Sequence, residues 1–273
     1  MADETFSAYV AALPAATAAP TSGDTLWINN GGTPKKIDGS LIGGGGGGGT
    51  VFDTLAASLF KHYYAGHEAS GTTLTDSGSV GGADGAYSGS DTIYQTVALR
   101  GDGNGNPFFG GSSGWLTVPD NTGSSACTFM GMFAISPATS GLPVLWSSTT
   151  DASVHGFQLW LPNEYQVEFQ WGDGSSATTI QTNAAWGNLA IFGAPMTVIF
   201  THNGTVGALF INGIKVGSAT HGYAKSGNAN IMVGAYQSGP ADFAVGVFGK
   251  TGVLDSALTD ADVYSLQNAQ RCA

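Results

Sequence analysis

Residues 165–171, Tyr-Gln-Val-Glu-Phe-Gln-Trp, alternate apolar and polar side chains without a break. Successive side chains of an extended strand point to opposite faces. The run therefore has an apolar face (Tyr165, Val167, Phe169, Trp171) and a polar face (Glu164, Gln166, Glu168, Gln170), the signature of a half-buried strand. Residues 156–161 repeat the pattern, with Phe157, Leu159 and Leu161 on one side and Gln158 and Trp160 on the other. Further β-rich runs at 196–201, 208–211 and 231–233 are separated by Gly, Asn, Asp and Ser. Asn212-Gly213, inside Leu-Phe-Ile-Asn-Gly-Ile-Lys-Val, predicts a tight hairpin, because both turn residues accept positive φ. Many short strands with frequent turns predict an all-β sandwich. One short C-terminal helix is expected. Thr259-Asp-Ala-Asp262 reads as a capping box with Asp in place of Glu or Gln, Leu258 is placed to staple onto Val263, and Leu266 continues the face. That helix is expected to cover one edge of the sandwich.

Composition narrows the function. Only 10% of the 273 residues are charged, and 8 Lys and Arg against 19 Asp and Glu give a net charge of −11. Binding to nucleic acid or to an anionic membrane needs clustered basic residues, so neither partner is expected. No stretch approaches the length of a membrane span. Hydrophobic content of 42% argues against disorder. The chain divides into residues 1–42, rich in Ala, Pro and Thr; 43–50, which open with seven consecutive glycines; and 51–273. The glycine tract reads as a flexible linker with a root-mean-square reach of about 15 Å. The first residues lack the basic and apolar regions of a secretory signal, so synthesis in the cytoplasm is expected. Cys127 and Cys272 are too few for a disulfide framework, and their pairing is left open.

Residues 55–269 resemble a laminin G-like, concanavalin A-like jelly roll. Five segments occur in that family's order: Gly71-Thr-Thr-Leu-Thr-Asp76-Ser-Gly; Leu99-Arg-Gly-Asp102-Gly through Trp115-Leu-Thr-Val-Pro119; Cys127-Thr-Phe-Met-Gly-Met-Phe133; Thr197-Val-Ile-Phe-Thr-His-Asn203-Gly through Leu209-Phe-Ile-Asn-Gly213; and Val233-Gly through Leu258-Thr-Asp-Ala-Asp262. The resemblance implies two antiparallel sheets of bent strands. A second resemblance covers Ala12-Leu-Pro-Ala-Ala-Thr17, Gly23-Asp-Thr-Leu-Trp27-Ile and Asn30-Gly-Gly-Thr-Pro-Lys35-Lys36-Ile37, which look like the N-terminal arm of tailed-phage virion proteins. It implies an extended attachment arm over 1–42 that docks on other virion proteins through Trp27, Lys35, Lys36 and Ile37. It also implies a sandwich displayed on the virion surface, a homo-oligomer with a trimer favoured, and exit from the cell by lysis.

Retaining glucanases of this fold carry a Glu-x-Asp-x-Glu strand, which is absent here. Glu164 and Glu168 would face one side about 13 Å apart, beyond the roughly 5–9.5 Å that glycosidase carboxyl pairs span. The five histidines show no metal-ligand spacing, and no Gly-x-Ser-x-Gly elbow is present. Asp102-Gly-Asn104-Gly-Asn106 alternates oxygen ligands as calcium loops do, so Asp102 and Asn104 are candidate ligands for Ca2+; ordinary turn chemistry is the alternative. Trp160 shares its strand face with Gln158. If that face joins Gln166, Glu168 and Gln170, it becomes an indole platform among amides and a carboxylate, suited to a sugar's C–H face and hydroxyls; the alternative is a Trp160 covered by other parts of the protein. The expectation is a non-catalytic, lectin-like phage surface protein that adheres to host or environmental glycans. The alternatives are a capsid-decoration or head-fibre protein without a sugar site, and a polysaccharide-degrading enzyme.

Overall fold

A computed structural model describes residues 25–30, 33–38, 51–68, 70–90, 92–97, 105–136, 143–148, 154–163, 166–182, 195–237 and 242–271. The chain separates into two compact units, Met1–Val51 and Phe52–Ala273. In the first, β1 (Thr25–Asn30) and β2 (Thr33–Asp38) pair antiparallel, with Trp27 opposite Lys36 and Ile28 opposite Lys35. The described part of the expected extended arm is therefore a hairpin. The glycine tract lies outside the described residues.

The second unit is a sandwich of two antiparallel sheets. One contains β3 (His62–Tyr64), β6 (Thr92–Val97), β7 (Asn106–Gly110), β9 (Cys127–Ile135), β14 (Met196–His202), β15 (Val206–Ile211), β16 (Ile214–Thr220) and β18 (Val245–Leu254). Its order is β16-β15-β14-β9-β18-β7-β6, with β3 also paired to β18. The other contains β4 (Thr73–Leu74), β5 (Gly85–Ser88), β8 (Trp115–Pro119), β10 (Val144–Ser147), β11 (Phe157–Asn163), β12 (Gln166–Gly172), β13 (Ala177–Gln181) and β17 (Asn230–Val233). Its order is β13-β12-β11-β10-β17-β8-β5-β4.

The period-2 pattern decides which side chains fill the space between the sheets. Val167, Phe169 and Trp171 of β12 are buried with Phe157, Leu159 and Leu161 of β11, while Gln166, Glu168, Gln170, Gln158 and Trp160 remain partly exposed on the opposite face. Phe169 stacks on Phe200 of the facing sheet at 4.1 Å between centroids, and Trp146 meets Phe129 edge-on at 4.5 Å. Such pairs add to the area they bury. Asn212 and Gly213 both have positive φ (50° and 77°) and join β15 to β16 as a two-residue hairpin.

Among the described residues, two helices flank the sandwich. The C-terminal one, α2 (Asp260–Arg271), starts with the expected reciprocal cap. Thr259 donates from its backbone N–H and hydroxyl to Asp262 at 3.0 and 2.7 Å, and the Asp262 N–H donates to Thr259 Oγ1 at 3.2 Å. It does not cover an edge. Thr197 donates to Gln270 at 2.8 Å, Tyr264 packs edge-on against Phe210, and Gln270 reaches Met132, which places α2 on the outer face of β9, β14 and β15. The alternation of β14 explains why: its outward side chains are themselves apolar or small (Thr197, Ile199, Thr201), and all are buried. A further helix that the sequence reading did not anticipate, α1 (Val51–Leu59), covers the same face at β18. Phe60, just after it, lies against Gly252 so closely that an added Cβ there would sit 2.7 Å from the ring. Both described helices thus pack on one sheet.

Candidate functional site

The outward face of the other sheet gathers four of the five proposed ligand-binding residues into two cross-strand rows. Trp160 on β11 is opposite Glu168 on β12, which is opposite Gln181 on β13; Gln158 is opposite Gln170, which is opposite Thr179. Directly opposed residues have Cβ atoms about 4.5–5.5 Å apart, so each row brings its central β12 side chain within reach of both neighbours. Gln166 stands apart, paired with Asn163 beyond an irregularity in the β11–β12 register. Toward β10 and β17 the same face is buried at Ser147 and Met232, so the accessible patch lies over β11, β12 and β13.

Gln181 donates from Nε2 to Oε2 of Glu168 at 3.1 Å. Burial raises the Glu168 carboxyl above the usual carboxylate range. Glu168 is the one carboxylate in β11, β12 and β13. The patch therefore offers an indole face, three glutamine amides, a threonine hydroxyl and one carboxylate: donors and acceptors around an apolar plate, with no cation among those strands. Thr179 and Gln181 were missed in the sequence because β13, Ala-Thr-Thr-Ile-Gln, is too short and too polar to show its alternation. Its single buried apolar residue, Ile180, sets the register that turns Thr179 and Gln181 outward.

The other expected sites fall elsewhere. Trp27, Lys35, Lys36 and Ile37 lie on the β1–β2 hairpin. Asp102, Asn104 and Glu164 lie outside the described residues, as does Cys272. Cys127 is buried with a free thiol, which burial and then the nearby Asp120 push well above the ordinary thiol range. Three histidines of the sandwich have structural partners: His62 Nδ1 is 2.7 Å from Asp76, His202 lies between the carbonyls of Ser125 and His221 at 3.0 and 2.7 Å, and His221 Nε2 is 3.1 Å from the carbonyl of Ser176. Among the described residues no group of three His, Cys, Asp or Glu side chains is arranged to hold a metal ion.

The motif segment that carries Asp76 has a distinct task. The Asp76 carboxylate accepts hydrogen bonds from Tyr63 N and Gly78 N at 3.0 Å and Ala83 N at 3.1 Å, besides His62. Burial alone would raise its pKa, but the bonds from His62, Gly78, Tyr63 and Ala83 outweigh burial and hold it below the usual range. Asp76 thus clamps β3 to the 76–84 turn.

Comparison with known proteins places this architecture. No curated protein matches the chain in sequence. Among solved structures, the binding domain of botulinum neurotoxin serotype D superposes with a TM-score of 0.59 at 13% identity, covering 80% of this chain and 53% of that one. The binding domain of Paraclostridial Mosquitocidal Protein 1 gives 0.57 at 15% identity, covering 79% and 53%. The chain spans about half the length of these toxin binding domains. Domain 4 of AbnA, a GH43 extracellular arabinanase from Geobacillus stearothermophilus solved with arabinotriose, gives 0.55 at 18% identity, covering 76% of this chain and 98% of that domain. At these identities the likeness is one of fold. The Laminin_G_3 profile matches residues 109–264, more than half of the chain, from the strand that carries Phe109 to the helix that carries Tyr264. The chain belongs to the concanavalin A-like lectin/glucanases superfamily.

Proposed function

We propose that the sandwich is a non-catalytic carbohydrate-binding module and that its sugar lies on the outward face of β11, β12 and β13. The observation that carries this reading is the Trp160–Glu168–Gln181 row beside the Gln158–Gln170–Thr179 row. Indole stacks on the C–H face of a pyranose, and amide and carboxylate groups pair with its hydroxyls. Glu168 has no carboxyl partner on these strands, whereas glycosidic hydrolysis uses two carboxyls about 5–9.5 Å apart. The AbnA domain, solved with arabinotriose and matched over nearly its whole length, supports the same class of ligand. The test is a glycan array probed with the wild-type chain and with Trp160→Ala. A set of glycans held by the wild type and lost by the variant supports the site, and an unchanged set refutes it.

The finer reading is display on a phage particle, with residues 1–42 docking on virion proteins through the hairpin that bears Trp27, Lys35, Lys36 and Ile37. Its support is the N-terminal sequence resemblance. Oligomerisation, with a trimer favoured, would raise the avidity of weak sugar sites. Antibody labelling of intact particles tests it. Label at the tail supports host adhesion, label over the capsid supports the decoration alternative, and no label refutes the virion assignment.

A further inference from the structure

The helix-covered face of the sandwich holds a charged pair that the carbohydrate site does not use. β18 is interrupted by a bulge between Phe248 and Thr251. Phe248 before it and Val253 after it both point into the core, so the bulge turns Lys250 outward toward α1. There Lys250 Nζ lies 2.7 Å from Oδ1 of Asp53, in the first turn of α1. The two side chains are only 2% and 8% exposed. The Phe52 ring lies 5.9 Å from Nζ. Tyr63 donates its phenolic O–H to the same Asp53 oxygen, and His67 Nε2 stands 3.4 Å from Nζ.

As an ion pair alone this contact gains little over an apolar one, because desolvating two charges offsets their attraction. The surroundings hold more than a pair. An amine touches a carboxyl in a site shielded from water, a hydroxyl donor sits on the carboxyl oxygen, and an imidazole sits at the amine. These are the parts of an acyl transfer: a nucleophile in contact, a donor for the developing oxyanion and a proton carrier.

We propose that Lys250 and Asp53 condense into an intramolecular isopeptide bond. One ammonium proton passes across the 2.7 Å contact to the Asp53 carboxylate, leaving a carboxylic acid protonated on Oδ2 and an amine with His67 beside it. Nζ attacks Cγ, and the charge that gathers on Oδ1 is met by the Tyr63 O–H. The Cγ–Oδ2 bond breaks, and Oδ2 leaves as water with a second proton from Nζ. Ammonium plus carboxylate thus gives one amide and one water, with no oxidant or co-reactant. The bond joins the first helix of the sandwich to its last strand across 197 residues. It would do so in a domain whose one described cysteine is free.

The test is denaturing mass spectrometry of the folded full chain after long incubation at neutral pH, with tryptic mapping. The wild type is expected about 18 Da below its sequence mass, with one cross-linked peptide carrying Asp53 and Lys250. Lys250→Met and Asp53→Ala should keep full mass, and Asp53→Asn should lose about 17 Da as ammonia replaces water as the leaving group. The Asp-Gly pairs at 38, 84, 102 and 173 can lose water independently as succinimides. A wild type that loses about 18 Da without the Asp53–Lys250 peptide therefore overturns the proposal, and so does a full-mass wild type. The cross-linked wild-type peptide carries the result even if the variants fail to fold.

Discussion

Replacing Asp76 with alanine tests the clamp at the start of the sandwich. The change removes the acceptor for three backbone N–H groups and for His62, all at 2.7–3.1 Å and in a site where the Asp76 side chain is fully buried. A buried donor left unpaired costs about 1–3 kcal/mol, but adjacent losses do not add because the turn relaxes. Breaking a buried hydrogen-bonded pair from one side costs about 3–5 kcal/mol. We take about 4 kcal/mol for Asp76→Ala, which for a domain of this size lowers Tm by about 8–16 °C. The sign of the pH dependence follows from the lowered carboxyl. Its contribution is fully present above the unfolded carboxylate value of about 3.9 and is lost as pH falls through the lower folded value. Thermal melts followed by circular dichroism from pH 7 to pH 2 should show a wide gap between wild type and variant that narrows below about pH 4. A variant within about 2 °C of wild type at pH 7 would refute the clamp. A gap that stays constant through the acid range would refute the role of the ionised carboxylate.

Two further perturbations probe the packing and the candidate site. Gly131→Ala would place a Cβ 2.5 Å from Phe133 Cζ and 2.6 Å from Trp146 Nε1, and should cost about 1–3 kcal/mol in denaturant melts; a neutral result would show that the Trp146 ring can move. Glu168→Gln removes a carboxylate whose ionised form burial disfavours, so at pH 7 it should be as stable as wild type or up to about 0.5 kcal/mol more stable. Because the folded Glu168 carboxyl is raised, wild type gains stability as pH falls through that value, and the difference should close in acid; a variant that is clearly less stable at pH 7 would contradict this.

Sequence periodicity revealed the parts of the molecule where one residue type repeats against one environment. β11 and β12 alternate because one face meets the core and the other meets solvent, and the Asn212-Gly213 turn and the Thr259–Asp262 cap are local chemistry that survives in any context. The covered sheet was harder to read. β14 and β9 are buried on both faces, so they show continuous apolar runs without alternation, and nothing in those runs says that helices supply the cover. The placement of α2 on a face therefore had to come from long-range contacts such as Thr197 with Gln270. α1 was missed because Val-Phe-Asp-Thr-Leu-Ala-Ala-Ser-Leu is a short run behind a glycine tract, with its Asp53 committed to Lys250 rather than to a surface. The candidate site was half legible. Trp160, Gln158, Glu168 and Gln170 follow from alternation, while Thr179 and Gln181 depend on which strand pairs beside β12, and a short strand does not encode that locally.

The proposed function requires a sugar to lie on Trp160. The chain has six tryptophans, and Trp146 and Trp171 are fully buried, with indole N–H groups that find no acceptor among the described residues. The direct measurement is a glycan titration of the 15N-labelled full chain, reading the six indole N–H signals and assigning them with single Trp→Phe variants. A sugar on Trp160 is expected to move the Trp160 signal in a saturable way while those of Trp146 and Trp171 stay in place. Saturable binding that leaves Trp160 unmoved would contradict it.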